Sequence, residues 1–194
     1  YLREIEKRIG IIKKICLSII GWYNYLVFVS DKIIIGNRNS NDADLKIQAT
    51  GISSIHGEFV RDKNEFYFVP KSGNSYISGE IVKNRIRLDT GYNIKIGNTF
   101  VFTVEYLHGD AMVLSMNNNS SINRDIYRII MMGTSFDIGT VNCHINYPRC
   151  KDKYKVFYKD KRFSIKDPSN KIIDFMIDDV HKIGDIEVQV TRGS

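Results

Sequence analysis

The sequence predicts an all-β protein: a β-sandwich followed by a second, smaller β-sandwich. Three observations predict it. The apolar residues come in short runs rich in Ile, Val, Tyr and Phe, such as KKICLSII, YLVFV and KIIIG, and β-branched and aromatic side chains pack well on a pleated surface. Turn-forming residues separate these runs at regular spacing, as a sandwich requires. From residue 15 to residue 107 no segment calls for a helix of three turns.

Residues 1–14 (YLREIEKRIGIIKK) form an N-terminal extension that reads as a short charged helix without a strong cap. The next 16 residues, Ile15 to Ser30, carry no charge. A spanning helix needs about 20 mainly apolar residues. This stretch also holds Ser18, Gly21 and Asn24, and reads as two buried strands broken by a turn at Gly21–Asn24. Asn37 to Ala43 is a polar loop. Strand-like runs follow at Leu45–Ile47, His56–Val60, Phe66–Val69, Tyr76–Ile77, Ile86–Leu88, Ile94–Ile96 and Thr99–Tyr106, and His108–Leu114 adds a hairpin. The turns between them are Asp62-Lys63-Asn64, Lys71-Ser72-Gly73-Asn74, Asp89-Thr90-Gly91 and Gly97-Asn98. Residues 115–124 are rich in Asn and Ser, a linker composition. They divide a domain at 15–114 from a β-rich stretch at 125–192.

Composition narrows the function. The net charge of +6 is spread along the chain, densest from Arg149 to Arg162, and reads as a solvated surface rather than a nucleic-acid site. Three cysteines, Cys16, Cys143 and Cys150, are an odd number and fit a reducing compartment, hence a cytoplasmic location. Cys143, His144 and Cys150 lack the short Cys pairs and the fourth ligand of a zinc site, so no metal and no cofactor is expected. No phosphate-binding Gly-Lys loop, dinucleotide fingerprint, zinc-protease motif or nucleophile elbow is present. The chain reads as a binding module and not an enzyme.

Five blocks in register carry a resemblance: Ile35-Gly36; Asp42-x-x-Leu45; Ile52-Ser53-x-x-His56-Gly57; a Ser/Gly/Asn turn at 72–75 ahead of Tyr76-Ile77-Ser78-Gly79; and Leu88-x-x-Gly91-x-x-Ile94-x-Ile96-Gly97. Together they resemble the forkhead-associated (FHA) family, whose pattern runs Gly-Arg, Asp-x-x-Leu, Ser-x-x-His, Asn-Gly and a late Leu-x-x-Gly-Asp-x-Ile. The resemblance implies a sandwich whose apical loops bind a phosphothreonine-containing peptide on a protein partner. It places Ser53 on the phosphate-binding serine, Ser54 on the neighbouring contact, His56 and Gly36 on loop support, and Asn37, Arg38, Asn74 and Ser75 among the contacts. Three departures stand out: Asn37 holds the place of the family arginine, with Arg38 one residue later; Gly73-Asn74 inverts the Asn-Gly order; and Tyr92 replaces the late Asp. They leave a second reading open, a degenerate pair that docks proteins without phosphate. Such pairs are similar to the cytosolic parts of membrane-associated bacterial secretion machines, including type VII secretion ATPases.

The stretch 125–192 repeats the outline in decayed form. Phe136-x-Ile138-Gly139, Tyr154–Tyr158, Phe163–Asn170 and Val180-x-x-Ile183-Gly184-Asp185-Ile186 resemble successive blocks, without Gly-Arg, Ser-x-x-His or Asn-Gly.

Overall fold

The computed structural model describes residues 14–193, so the helix expected within residues 1–14 falls outside the described residues apart from Lys14. The described residues form twenty strands. In the first half these are β1 (Lys14–Ile19), β2 (Asn24–Val29), β3 (Lys32–Asn37), β4 (Leu45–Ile47), β5 (Gly57–Asp62), β6 (Glu65–Pro70), β7 (Ser75–Ile77), β8 (Glu80–Ile81), β9 (Ile86–Arg87), β10 (Asn93–Ile96), β11 (Phe100–His108) and β12 (Ala111–Met116). A single 3-10 turn at Asn119–Ser121 leads to the second half: β13 (Ile126–Met132), β14 (Ser135–Gly139), β15 (Ile145–Asn146), β16 (Tyr154–Lys159), β17 (Arg162–Lys166), β18 (Ile172–Asp174), β19 (Val180–Ile183) and β20 (Ile186–Arg192). The all-β class read from the sequence is therefore the class of the fold. The uncharged stretch 15–30 is the β1–β2 hairpin, turned at Gly21 (φ +78°). No helix among the described residues is long and apolar enough to cross a membrane.

The strands build three sheets. One has ten strands in the order β19-β20-β1-β2-β13-β12-β11-β10-β7-β8; two have five each, β4-β3-β5-β6-β9 and β15-β14-β16-β17-β18. Side chains alternate across a strand, so the central strands of the large sheet feed two cores. On β1 and β2, Ile15, Leu17, Ile19, Tyr25 and Val27 pack with Phe136, Ile138, Tyr154 and Val156 of the second half. Leu26 and Phe28, the alternate residues of β2, pack with Ile33, Ile35, Phe59 and Phe68 of the first half. The ten-stranded sheet is thus a middle layer with one small sheet against each face. Residues 115–124, which have a linker composition, finish β12 and carry the 3-10 turn; Ser121 is buried and its carbonyl accepts the Gln48 N–H at 2.7 Å.

The two halves follow one strand plan. β3 runs parallel to β4 and antiparallel to β5, as β14 does to β15 and β16. The pairs β5–β6 and β6–β9 match β16–β17 and β17–β18. The hairpin β10–β11 matches β19–β20. The plan closes by exchange: β20 pairs with β1 from the start of the chain, as β11 pairs with β12, and β2 and β13 lie side by side in parallel at the centre. Gly184 (φ +56°) sits at the β19–β20 turn, the place Gly97 (φ +63°) holds at β10–β11, and not at the place of Gly91 on which the sequence likeness put it.

Candidate functional site

Four loops meet at one end of the first half: 38–44 after β3, 48–56 before β5, 71–74 before β7 and 97–99 after β10. Backbone bonds tie them. Asn37 N–H donates to Ser53 O at 3.0 Å, Lys71 N–H to His56 O at 3.0 Å, Gly97 N–H to Asn74 O at 3.0 Å and Asn98 N–H to Thr50 O at 3.1 Å. Of the loops and turns named from sequence, the polar loop after β3, the Ser53–His56 block, the turn at 71–74 and Gly97-Asn98 are therefore neighbours.

His56 is the pin of this cluster. It is fully buried, its Nδ1 accepts the Ser53 N–H at 3.1 Å, and its Nε2 lies 2.8 Å from Asn74 O. A ring nitrogen that accepts a backbone N–H carries no proton, so the proton sits on Nε2 and is donated to Asn74 O. Burial pushes the His56 pKa below its ordinary value of 6.5, against the opposing effect of the Asn74 bond. The neutral ring orients two loops; it is not a free acid or base.

Close packing explains two glycines. A Cβ on Gly36 would overlap the Ser54 carbonyl oxygen. At Gly73 (φ +75°) a Cβ would stand 2.6 Å from Ser53 Oγ and 2.7 Å from His56 Cε1. The reversed order Gly73-Asn74 thus lets the turn press on the Ser53–His56 pair.

The remaining expected site residues divide by exposure. Ser53 is half-buried and Ser54, Arg38 and Asn74 are exposed. Asn37 is half-buried and occupied: its Nδ2 donates to Ile52 O at 3.3 Å and its Oδ1 accepts the Asn39 N–H at 3.1 Å. Arg38 Nη1 donates to Gln48 Oε1 at 3.0 Å, which leaves four of the five guanidinium N–H donors for other acceptors. Ser75 is 1 % exposed, with no partner for its hydroxyl among the described residues, and lies beneath the surface that the loops present. Sequence reading did not single out Gln48, and marked Asn98 only as a turn residue. Neither has a motif of its own; each is brought in by the return of a different strand.

Cys143 and Cys150 are buried thiols: Cys150 Sγ donates to Asp152 O at 2.9 Å, and burial pushes its pKa up to about 11. His144 Nδ1 accepts the Asp137 N–H at 3.0 Å and its Nε2 reaches His108 O at 3.0 Å.

Residues 33–97 match the family model of the FHA domain. No curated protein matches the chain significantly. Similar solved structures include one from a structural and functional analysis of phosphothreonine-dependent FHA domain interactions, 20 % identical over 43 % of this chain and 88 % of that one, with a TM-score of 0.33. The FHA domain of the CT664 protein from Chlamydia trachomatis is 14 % identical, over 43 % of this chain and 89 % of that one, TM-score 0.34. The FhaA FHA domain complexed with the intracellular domain of Rv3910 is 20 % identical, over 43 % and 91 %, TM-score 0.33. Residues 33–97 of this chain are an FHA domain, and FHA domains are protein-interaction modules.

Proposed function

We propose that the loop end of this FHA domain recognises a phosphothreonine-containing segment of a partner protein. The observation that carries the reading is the half-buried Ser53, held by the His56–Asn74 bridge beside the exposed Ser54 and flanked by the exposed Arg38 and Asn74. A phosphate needs several donors converging from a rigid frame, and charged hydrogen bonds are the strong ones. Ser53 and Ser54 supply hydroxyls, Arg38 supplies charge, and the Asn74 amide holds the peptide backbone. A second reading, docking without phosphate, draws on Asn37: the residue in the place of the family arginine gives its amide to Ile52 O. Residues 125–192 with β1 form, on this proposal, a degenerate FHA-like companion with no phosphate site of its own. The location follows the sequence expectation, cytoplasmic or the cytosolic part of a membrane-associated protein.

Calorimetric titration with phosphorylated and unphosphorylated forms of one threonine peptide library separates the readings. Phosphate-dependent binding, weakened about tenfold or more in Ser53→Ala, supports the first, since a hydrogen bond to a charged group contributes about 1.5–3 kcal/mol. Equal affinity for both forms supports the second.

A further inference from the structure

The two halves differ at one sheet edge. In the first, β10 pairs with β7, which pairs with β8. In the second, residues 167–171 join β17 directly to β18, where residues 71–85 in the first half build β7 and β8. β19, the counterpart of β10, is therefore an outermost strand of the ten-stranded sheet. The β19–β20 turn has two residues, so Ile183–Ile186 and His181–Val188 exchange backbone bonds and the N–H and C=O groups of Val180 and Lys182 point to the open edge. Among the described residues none bonds to them.

The edge strand and its approach expose apolar side chains among charged ones. Val180 is 54 % exposed and Met176 in the β18–β19 connection 61 %, beside the exposed Asp178, Asp179 and Lys182. An open edge with exposed apolar side chains is a template for another strand. The first half shows what chemistry fits. Lys95 of β10 stands directly across from Tyr76 of β7, with its Nζ 4.6 Å from the ring centroid. Lys182 holds the place of Lys95: it is the residue before the buried Ile that precedes the turn glycine, and it is exposed with no aromatic ring across from it among the described residues.

We propose that the edge of β19 receives an extended segment of a partner protein, antiparallel, with an aromatic residue opposite Lys182 and an apolar residue opposite His181, as Tyr76 and Ile77 stand opposite Lys95 and Ile94. The segment adds a strand as β7 does in the first half. Its backbone bonds Val180 and Lys182, its ring covers the Lys182 ammonium, and its apolar residue lies on the side of the sheet that Ile183 faces. This surface lies on the second half, apart from the loops of the FHA domain.

The probe is a capped synthetic peptide of this chain's own residues 72–82 (SGNSYISGEIV), titrated into the full chain under amide-resolved NMR. The expected result is saturable perturbation and slowed hydrogen exchange at Val180 and Lys182. Tyr76→Ala in the peptide, or Lys182→Ala in the protein, weakens binding about threefold, the scale of an exposed cation–π pair. Val180→Pro, which removes an outward donor, abolishes it. The peptide N-methylated at Tyr76 removes the donor to the Lys182 carbonyl with the protein unchanged, and also fails to bind. No perturbation of β19 at about 1 mM peptide, where a weak Kd of about 1 mM would still give half-saturation, overturns the proposal. So does undiminished binding of the N-methyl peptide, or self-association through β19 without peptide binding, which would make a second copy the occupant.

Discussion

His56 Nε2 stands 2.8 Å from the carbonyl oxygen of Asn74, and the same ring takes the Ser53 N–H on its other nitrogen. One side chain thus fixes the relative position of the serine loop and the asparagine turn. Substituting Ala leaves the Ser53 N–H without its partner, takes one of two donors from Asn74 O, which keeps the Gly97 N–H, and opens a cavity. An unmet buried group costs about 1–3 kcal/mol, and the cavity adds to it. His56→Ala is expected to lower unfolding stability by about 3 kcal/mol and to weaken peptide binding even though His56 touches no ligand. Urea unfolding checks the first. A conservative His56→Gln that restores binding more than stability would show that orientation matters beyond stability.

The two buried imidazoles make stability depend on acid. Burial depresses the pKa of both His56 and His144 from 6.5. Above that value both states are neutral and the full stability is present. Below it the unfolded chain takes up protons that the folded chain refuses, so stability falls with falling pH until the folded-state values are reached. Each histidine contributes up to about 1.4 kcal/mol per pH unit in that window. Urea midpoints from pH 7.5 to pH 5 should fall for the native chain, with a shallower slope in a His56→Gln/His144→Gln double variant. An unchanged slope would assign the acid loss to carboxylates.

Gly36 needs its hydrogen for space, not for its backbone angle, since no positive φ is found there. A methyl group would drive into the Ser54 carbonyl oxygen, which is backbone and cannot swing away. Gly36→Ala is expected to cost about 2–3 kcal/mol, within the range of overpacking, and to displace Ser54. Gly91→Ala is the control: nothing lies within 4 Å of its Cβ position, so its cost comes from the strained φ of +92°. Denaturant midpoints should separate the two only modestly, whereas amide shifts at Ser53 and Ser54 should move in Gly36→Ala alone.

The loops were legible because their chemistry is local. Ser53-x-x-His56 is a three-residue spacing, and the bond between Ser53 N–H and His56 Nδ1 closes within it. The strand runs were legible because the burial alternates, as in β1, where Ile15, Leu17 and Ile19 face one core. The exchange of β1 and β13 was not. β2 and β13 lie far apart in the chain and carry no mark that says they pair, and the pairing of Leu26 with Ile129 or Val27 with Ile130 depends on the whole sheet. Nor does sequence show that Arg38 meets Gln48, since nine residues, strand β4 among them, intervene.

That exchange bears on how the chain unfolds. β13 lies between β2 and β12, and β1 lies between β2 and β20, so each half supplies strands to the other's sheet. A fragment ending at residue 116 would lose β13 and β20. It would expose Ile15, Leu17, Ile19, Tyr25 and Val27, which pack on the second half. Burying one such side chain contributes about 1.5–3 kcal/mol, so five exposed together exceed or match the whole stability of a typical domain. The full chain is therefore expected to unfold in one cooperative transition, with calorimetric and van't Hoff enthalpies in agreement, and the 14–116 fragment to bind a hydrophobic dye without a cooperative melt. Two separate transitions in the full chain, or a fragment that melts sharply on its own, would show that the halves are stable without the exchanged strands.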